Sequence, residues 1–218
     1  MGYNIAIDGP AGAGKSTIAK LVAKERGYIY VDTGAMYRGM AIYFLQQNIQ
    51  PEETEKIAAS SKDANVSIVY EDGVQQIYLN GENVTAKLRE EEVGNMASMC
   101  SAVPEVREQL LELQRNLAAR ENVVMDGRDI GTNILPNADT KIYLTASVET
   151  RAKRRFLELQ EKGVDCNLGE IARDIEERDY RDMHREIAPL RQAKDAVYVD
   201  SSSLSIEEVV ETILSHCK

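Results

Sequence analysis

Short apolar, β-branched runs alternate along most of the chain with longer stretches whose apolar residues recur every three or four positions. The runs predict strands at 4–8, 28–32, 122–126, 141–146 and 196–200, and their alternation with helical patterns is the sequence form of a parallel α/β sheet. Between the second and third runs the period changes. There VSIVYEDGVQQIYLNGENV alternates apolar and polar residues around Asp72-Gly73 and Asn80-Gly81, pairs that favour tight hairpin turns, so an antiparallel insert is expected. Three helices carry readable end signals. One follows Lys15, with Ile18, Leu21 and Val22 at helical spacing and Gly27 as its stop. A second opens at Pro104 with the stripe Val106, Leu110, Leu113 and Leu117. The third begins at Ser205, whose capping box with Glu208 precedes Val209, Val210, Ile213 and Leu214. These stripes are expected to be core.

The composition narrows the class. A chain of 218 residues with 43% hydrophobic and 28% charged residues has the make-up of a globular protein of one or two domains and excludes a disordered or fibrous one. No apolar run approaches the roughly 18 residues that a membrane span needs, and MGYNIAIDGP has neither the basic nor the apolar region of an export signal. Cys100, Cys166 and Cys217 are an odd number at spacings unlike a disulfide framework or a zinc site, so a reducing cytoplasm is the expected compartment. The net charge of −10 disfavours nucleic acid and anionic membranes as partners. Within residues 151–194 basic and acidic side chains nearly balance, so the net negative charge lies elsewhere and a small anionic ligand is expected near that segment.

The most informative segment is NIAIDGPAGAGKST, where Gly9 and Gly14 bracket four residues and Lys15 and Ser16 follow. Its spacing is that of a phosphate loop, and it sits between a strand and an amphipathic helix as that chemistry requires. Small residues let successive backbone N–H groups curl around an anion, and the helix N-terminus adds partial positive charge. Gly9, Pro10, Ala11, Gly12, Ala13, Gly14, Lys15, Ser16 and Thr17 are therefore the candidate ATP-binding residues. Lys15 can reach the β- and γ-phosphates, and the Ser16 hydroxyl suits Mg²⁺, a cation that prefers hard oxygen ligands. No guanine-reading segment of the NKxD type is present, and motors or large ATPases need more chain. A small kinase for a small acceptor fits the length.

Two further strand ends carry charge. The second ends in VDTGAMYR, placing Asp32 where ligands gather in open α/β sheets; it either caps the turn or arranges the waters of Mg²⁺. Arg38, six residues on, can hold a phosphate with a forked pair of hydrogen bonds. The third ends in VVMDGRDIG, where Asp126, Arg128 and Asp129 either serve a ligand or close the turn as a local ion pair. Farther on, Arg178, Arg181 and Arg185 stand at i, i+3 and i+7, which predicts one helical face of guanidinium groups able to close over phosphates. His184 and His216 are assigned no role.

The segments GPAGAGKST, DTGAMYR, LREEEVGNMAS, DGRDIGT, KIYLTAS, LQEKG, RDYRD and IAPLRQAKDA, in this order, resemble the bacterial cytidylate kinase family of nucleoside monophosphate kinases over nearly the whole chain. The resemblance implies a P-loop NTPase core with a five-stranded parallel sheet flanked by helices (residues 1–35, 110–152 and 188–218), an acceptor-binding insert with a small antiparallel sheet (36–109) and a helical lid (153–187). It implies transfer of the γ-phosphoryl group of MgATP to CMP or dCMP by a monomer. In the roles it implies, Lys15, Arg128, Arg178, Arg181 and Arg185 are catalytic; Arg38 and Arg128 grip the acceptor phosphate; Ser98, Arg107 and Asp129 read the cytosine. Asp182, with Arg178 and Arg185, addresses sugar and phosphates, while Thr33 contacts the acceptor and Ser16, with Asp32 through water, serves the metal. Thr33, Met96 and His184 depart from the residues most common in the family. A kinase of this architecture for UMP, AMP or shikimate, and a non-catalytic nucleotide-binding switch, are the competing readings.

Overall fold

The computed structural model describes residues 2–218. In chain order the elements are β1 (Asn4–Asp8), α1 (Lys15–Arg26), β2 (Ile29–Asp32), α2 (Thr33–Gln46), α3 (Thr54–Ser60), β3 (Val66–Glu71), β4 (Val74–Leu79) and β5 (Glu82–Asn83). They continue with α4 (Glu91–Cys100), α5 (Pro104–Arg120), β6 (Val123–Gly127), β7 (Thr140–Thr145), α6 (Val148–Glu161), α7 (Leu168–His184), β8 (Val197–Asp200) and α8 (Ile206–Ser215). Five strands form the expected parallel sheet, in the order β2-β6-β1-β7-β8. Ile5, Ala6 and Ile7 of β1 and Val123, Val124 and Met125 of β6 are fully buried, which is why these strands read as continuous apolar runs and not as alternating ones. Among the described residues no helix is long and apolar enough to cross a membrane.

The strand edges differ from the sequence-based bounds by about a residue, for physical reasons. Tyr28 belongs to the end of α1: its N–H reaches the Ala23 carbonyl at 2.8 Å while Gly27 turns left-handed, so β2 starts one residue later. The insert forms as expected. β3, β4 and β5 make a three-stranded antiparallel sheet, and both turns have positive φ at their two central residues, Asp72 with Gly73 and Asn80 with Gly81, the conformation that the right-handed twist of a hairpin demands. The capping box is present too, Ser205 Oγ accepting from Glu208 N and Glu208 accepting from Ser205 N.

Two expectations are corrected. On α5, Val106 and Leu110 are buried, but Leu113 and Leu117 are only half-buried, and the polar Arg107 and Gln114 take the interior with Ala118. The buried face is rotated because Arg107 has partners inside: its guanidinium lies over the Tyr37 ring and donates to the Ser101 carbonyl at 3.2 Å. On α7, the three arginines do not share one helical face. The helix ends at His184, Arg185 has extended backbone as its C-cap, and its guanidinium turns back to the Ala188 carbonyl.

By packing, the chain divides into one compact unit of residues 29–123 and another of 3–28 with 124–218. In the second, α6 and α7 pair around a small apolar cluster of Ala152, Ile171 and Ile175, with Phe156, Leu159 and Cys166 against it.

Candidate active site

The phosphate loop leaves β1 at the middle of the sheet, between β6 and β7, the point where connections diverge and α/β proteins gather ligands. Gly9 is required there: a Cβ on it would stand 1.9 Å from the Leu144 carbonyl oxygen of β7, and its φ is 153°. The loop ends at Gly14, the left-handed N-cap of α1, which offers no capping side chain; the first turn of α1 carries no acidic residue. Backbone N–H groups at this end are thus available to an anion.

Lys15 is 6% exposed, and its ammonium donates to the Pro10 carbonyl at 2.8 Å. Burial, and then the positive charge of Arg128, push its pKa well below the usual lysine value, while the carboxylates of Asp126, Asp8 and Asp182 oppose the shift. An anionic phosphate beside it would favour the charged form. Ser16 donates to Asp126 Oδ2 at 3.1 Å. That hydroxyl and carboxylate are a hard-oxygen pair of the kind Mg²⁺ takes alongside substrate phosphates and water. Asp32 is a cap of α2, accepting from Ala35 N at 2.9 Å.

Four charged residues cross-link the end of β6 to the end of α7. Arg128 Nε donates to Asp182 Oδ2 at 2.9 Å, and Arg185 Nη2 lies 3.6 Å from Asp129 Oδ1. Burial acts to raise the Asp182 carboxyl, but the charge and hydrogen bond of Arg128, with the charges of Arg178 and Arg185, outweigh it and hold the pKa below the usual value. Arg128, Asp129, Arg178, Asp182 and Arg185 thus form one network. Arg181 is exposed on the solvent side of α7.

In the other unit, Thr33 is buried in the first turn of α2, and Arg38 stands one turn on from Gly34; a Cβ on Gly34 would meet Asp32 Oδ1 at 3.1 Å and Arg38 Nη1 at 3.2 Å. The carboxylate and the guanidinium therefore converge over the start of this helix. Ser98 is half-buried on α4, and its carbonyl accepts from Ser101 Oγ. Arg107 is buried as described above.

Three charged residues escaped the sequence reasoning. Asp8, 4% exposed, accepts from Ile130 N and Gly131 N at 2.7 Å each; burial pushes its pKa up to about 7 against those two hydrogen bonds. The available signal was an acidic residue ending a strand buried on both faces. Arg151 of α6, also buried, donates to Ala146 O at 2.9 Å, to Ala11 O of the phosphate loop at 3.0 Å and to Asp179 Oδ2 at 2.6 Å. It braces the loop against α7. Nothing in RAKRR distinguishes this arginine from its exposed neighbours, and Asp179 is equally hidden among the acidic residues of α7.

A family model described as cytidylate kinase matches residues 5–218. A protein of Caldicellulosiruptor bescii named cytidylate kinase is 54% identical over 211 residues, covering 97% of this chain and 93% of its own. One of Bacillus subtilis with the same name is 47% identical, covering 97% and 94%. Among solved structures, an uncharacterized protein from Eubacterium ventriosum superposes with a TM-score of 0.54 at 12% identity, covering 98% of this chain and 97% of its own, a likeness of fold alone.

Proposed function

The chain belongs to the cytidylate kinase family, and from that premise we propose how its residues carry out the phosphorylation of CMP and dCMP to CDP and dCDP with ATP as donor. An oxygen of the acceptor phosphate forms a bond to the γ-phosphorus as the bond from that phosphorus to the β,γ-bridging oxygen breaks, leaving ADP. The acceptor oxygen is already anionic, so no side chain need act as nucleophile; positioning and charge neutralisation supply the catalysis. The backbone N–H groups of 11–17 and the N-terminus of α1 cradle the donor phosphates, and Lys15 follows the charge onto the bridging oxygen. Arg128, Arg178 and Arg185 neutralise the transferring group, a role to which Arg181, on the solvent side of α7, adds only its charge. Ser16 and Asp126, with Asp32 through water, would hold the family's Mg²⁺, which would supply screening of the donor-phosphate charges.

On the acceptor side, Arg38 and Arg128 hold the phosphate, Thr33 contacts the acceptor and Asp182 addresses the sugar. Ser98, Arg107 and Asp129 read the base: a carboxylate accepts a hydrogen bond from the amino group of cytosine and repels the carbonyl oxygen that uracil carries in its place. Residues 153–187 act as a lid that excludes water, the competing acceptor. The three cysteines are free thiols, in keeping with work in the cytoplasm, and we take the enzyme to be a monomer.

The observation that carries this reading is geometric: Ser16 of the phosphate loop donates to Asp126 at 3.1 Å, two residues before Arg128, which pairs with Asp182 at 2.9 Å, and this supports a single site for the donor-phosphate lysine and the arginine network. Two anionic substrates explain so many cations in an acidic protein. ADP release measured over a panel of CMP, dCMP, UMP, AMP and shikimate tests it. The expected order has CMP and dCMP far ahead. A preference for another acceptor, or ATP binding without acceptor-dependent ADP release, overturns it.

A further inference from the structure

Asp129 stands at the N-cap of the single turn Ile130–Ile134, where an aspartate side chain ordinarily bonds the first N–H groups of the helix, yet its side chain makes no capping bond there. Those N–H groups go elsewhere. Ile130 N and Gly131 N donate to the two separate oxygens of Asp8, more than a hundred residues away in sequence. Asp129 instead accepts from Asn133 Nδ2 at 3.1 Å with Oδ2 and turns Oδ1 toward Arg185.

We propose that Asp8 is a positioning residue for acceptor selection: by capping the Ile130–Ile134 turn from β1, it keeps the Asp129 carboxylate out of the local capping role and directed at the base. The inference rests on the proposed reading of Asp129 as the cytosine contact. The two N–H donors approach two different atoms of the Asp8 side chain. A carboxylate provides both; an asparagine provides one and sets its own NH₂ against the other donor. Gly131 is part of the device, because a Cβ on it would stand 3.3 Å from Asp8 Oδ2 and 3.2 Å from Lys141 Cδ, tighter than nearly all ordinary contacts. With Asp8 disabled, Asp129 at the N-cap is placed to take the orphaned Gly131 N–H, and doing so withdraws it from the base.

The test is the ratio of kcat/KM for CMP to that for UMP in the full-length enzyme, since a ratio is independent of how much of a variant is correctly folded. Asp8→Asn is expected to lower it at least fivefold, with the KM for ATP within twofold of wild type. Gly131→Ala, which crowds the same bonds from the other side, is expected to act in the same direction and carries the test should Asp8→Asn not fold. Asp129→Asn separates the two layers of argument. If it leaves the ratio unchanged, the base-reading role of Asp129 fails. If it erases discrimination while Asp8→Asn and Gly131→Ala keep the wild-type ratio within twofold, the positioning role of Asp8 fails by itself.

Discussion

β1 and β6 are neighbours in one sheet, yet their ends deliver charge by opposite means. At β1 the proposed binding groups are backbone N–H donors, small residues and one lysine, all within the consecutive residues 9–17. Long-range contacts steady that segment without supplying its donors: the close pass of Gly9 under Leu144, the Arg151 bond to the Ala11 carbonyl and the Ser16 bond to Asp126. At β6 the groups are alternating side chains, each held by a partner far along the chain: Arg128 by Asp182, Asp129 beside Arg185, Ser16 with Asp126. A backbone cradle tolerates isolation because its dipoles are fixed by local geometry. A side-chain network does not, since each buried charge depends on a countercharge to offset its desolvation.

The steepest way to break this contrast is Lys15→Ala. Because Lys15 is a buried cation already disfavoured by burial and by Arg128, removing it should leave the melting temperature unchanged or raised. Turnover should nonetheless fall by about 10³-fold or more, roughly 4 kcal/mol of lost transition-state stabilisation. Steady-state assays beside thermal melts check both halves; residual activity above a tenth of wild type would falsify the role of Lys15.

Next in size is Asp182→Asn, which removes the countercharge that Arg128, Arg178 and Arg185 share. Here activity and stability should fall together, with kcat/KM for CMP reduced about 10²-fold, close to 3 kcal/mol, and a melting temperature lowered by several degrees. The exposed pair Arg155–Glu158, at 3.0 Å with both side chains about half exposed, provides the yardstick. Glu158→Gln should shift stability by well under 1 kcal/mol. Equal effects at the two sites would erase the distinction between a buried network and a solvated face.

The same contrast explains what was legible in the sequence. The phosphate loop, the two hairpin turns, the stop at Gly27 and the Ser205–Glu208 box are set by residues within a few positions of one another, so spacing alone exposes them. Helical periodicity placed Arg178 and Arg181 on α7 but extended the helix through Arg185, which instead leaves it and bonds Ala188. The apolar period places Val106, Leu110, Leu113 and Leu117 of α5 in the core, but only the first two are buried, and the burial of Arg107 depends on Tyr37 and Ser101, a pairing that no period encodes. Asp8, Arg151 and Asp179 lay deepest in shadow, because each acquires its role only from backbone or charge brought to it by the tertiary fold.

The smallest effect concerns pH and sharpens the contrast at the one residue that joins both strand ends, since Asp8 closes β1 and holds the turn after β6. Burial raises its carboxyl from the unfolded value of 3.8 to about 7, against the bonds from Gly131 and Ile130; Asp129 adds to the rise and Lys15 opposes it. The folded state therefore binds the proton more tightly than the unfolded chain. Stability owed to that proton is complete below about pH 4, declines as pH rises and is gone once pH passes through about 7. Urea denaturation of wild type and of Asp8→Asn should show their difference in unfolding free energy moving in favour of the variant by roughly 2 kcal/mol between about pH 5 and pH 7, then levelling. Over the same interval the CMP to UMP preference of the wild type should improve, because only the ionised carboxyl accepts both N–H groups. Stability and selectivity would then run in opposite directions through one titration. A free-energy difference that stays flat across this range would mean that Asp8 is already ionised in the fold at pH 5, its two hydrogen bonds having offset the whole of its burial.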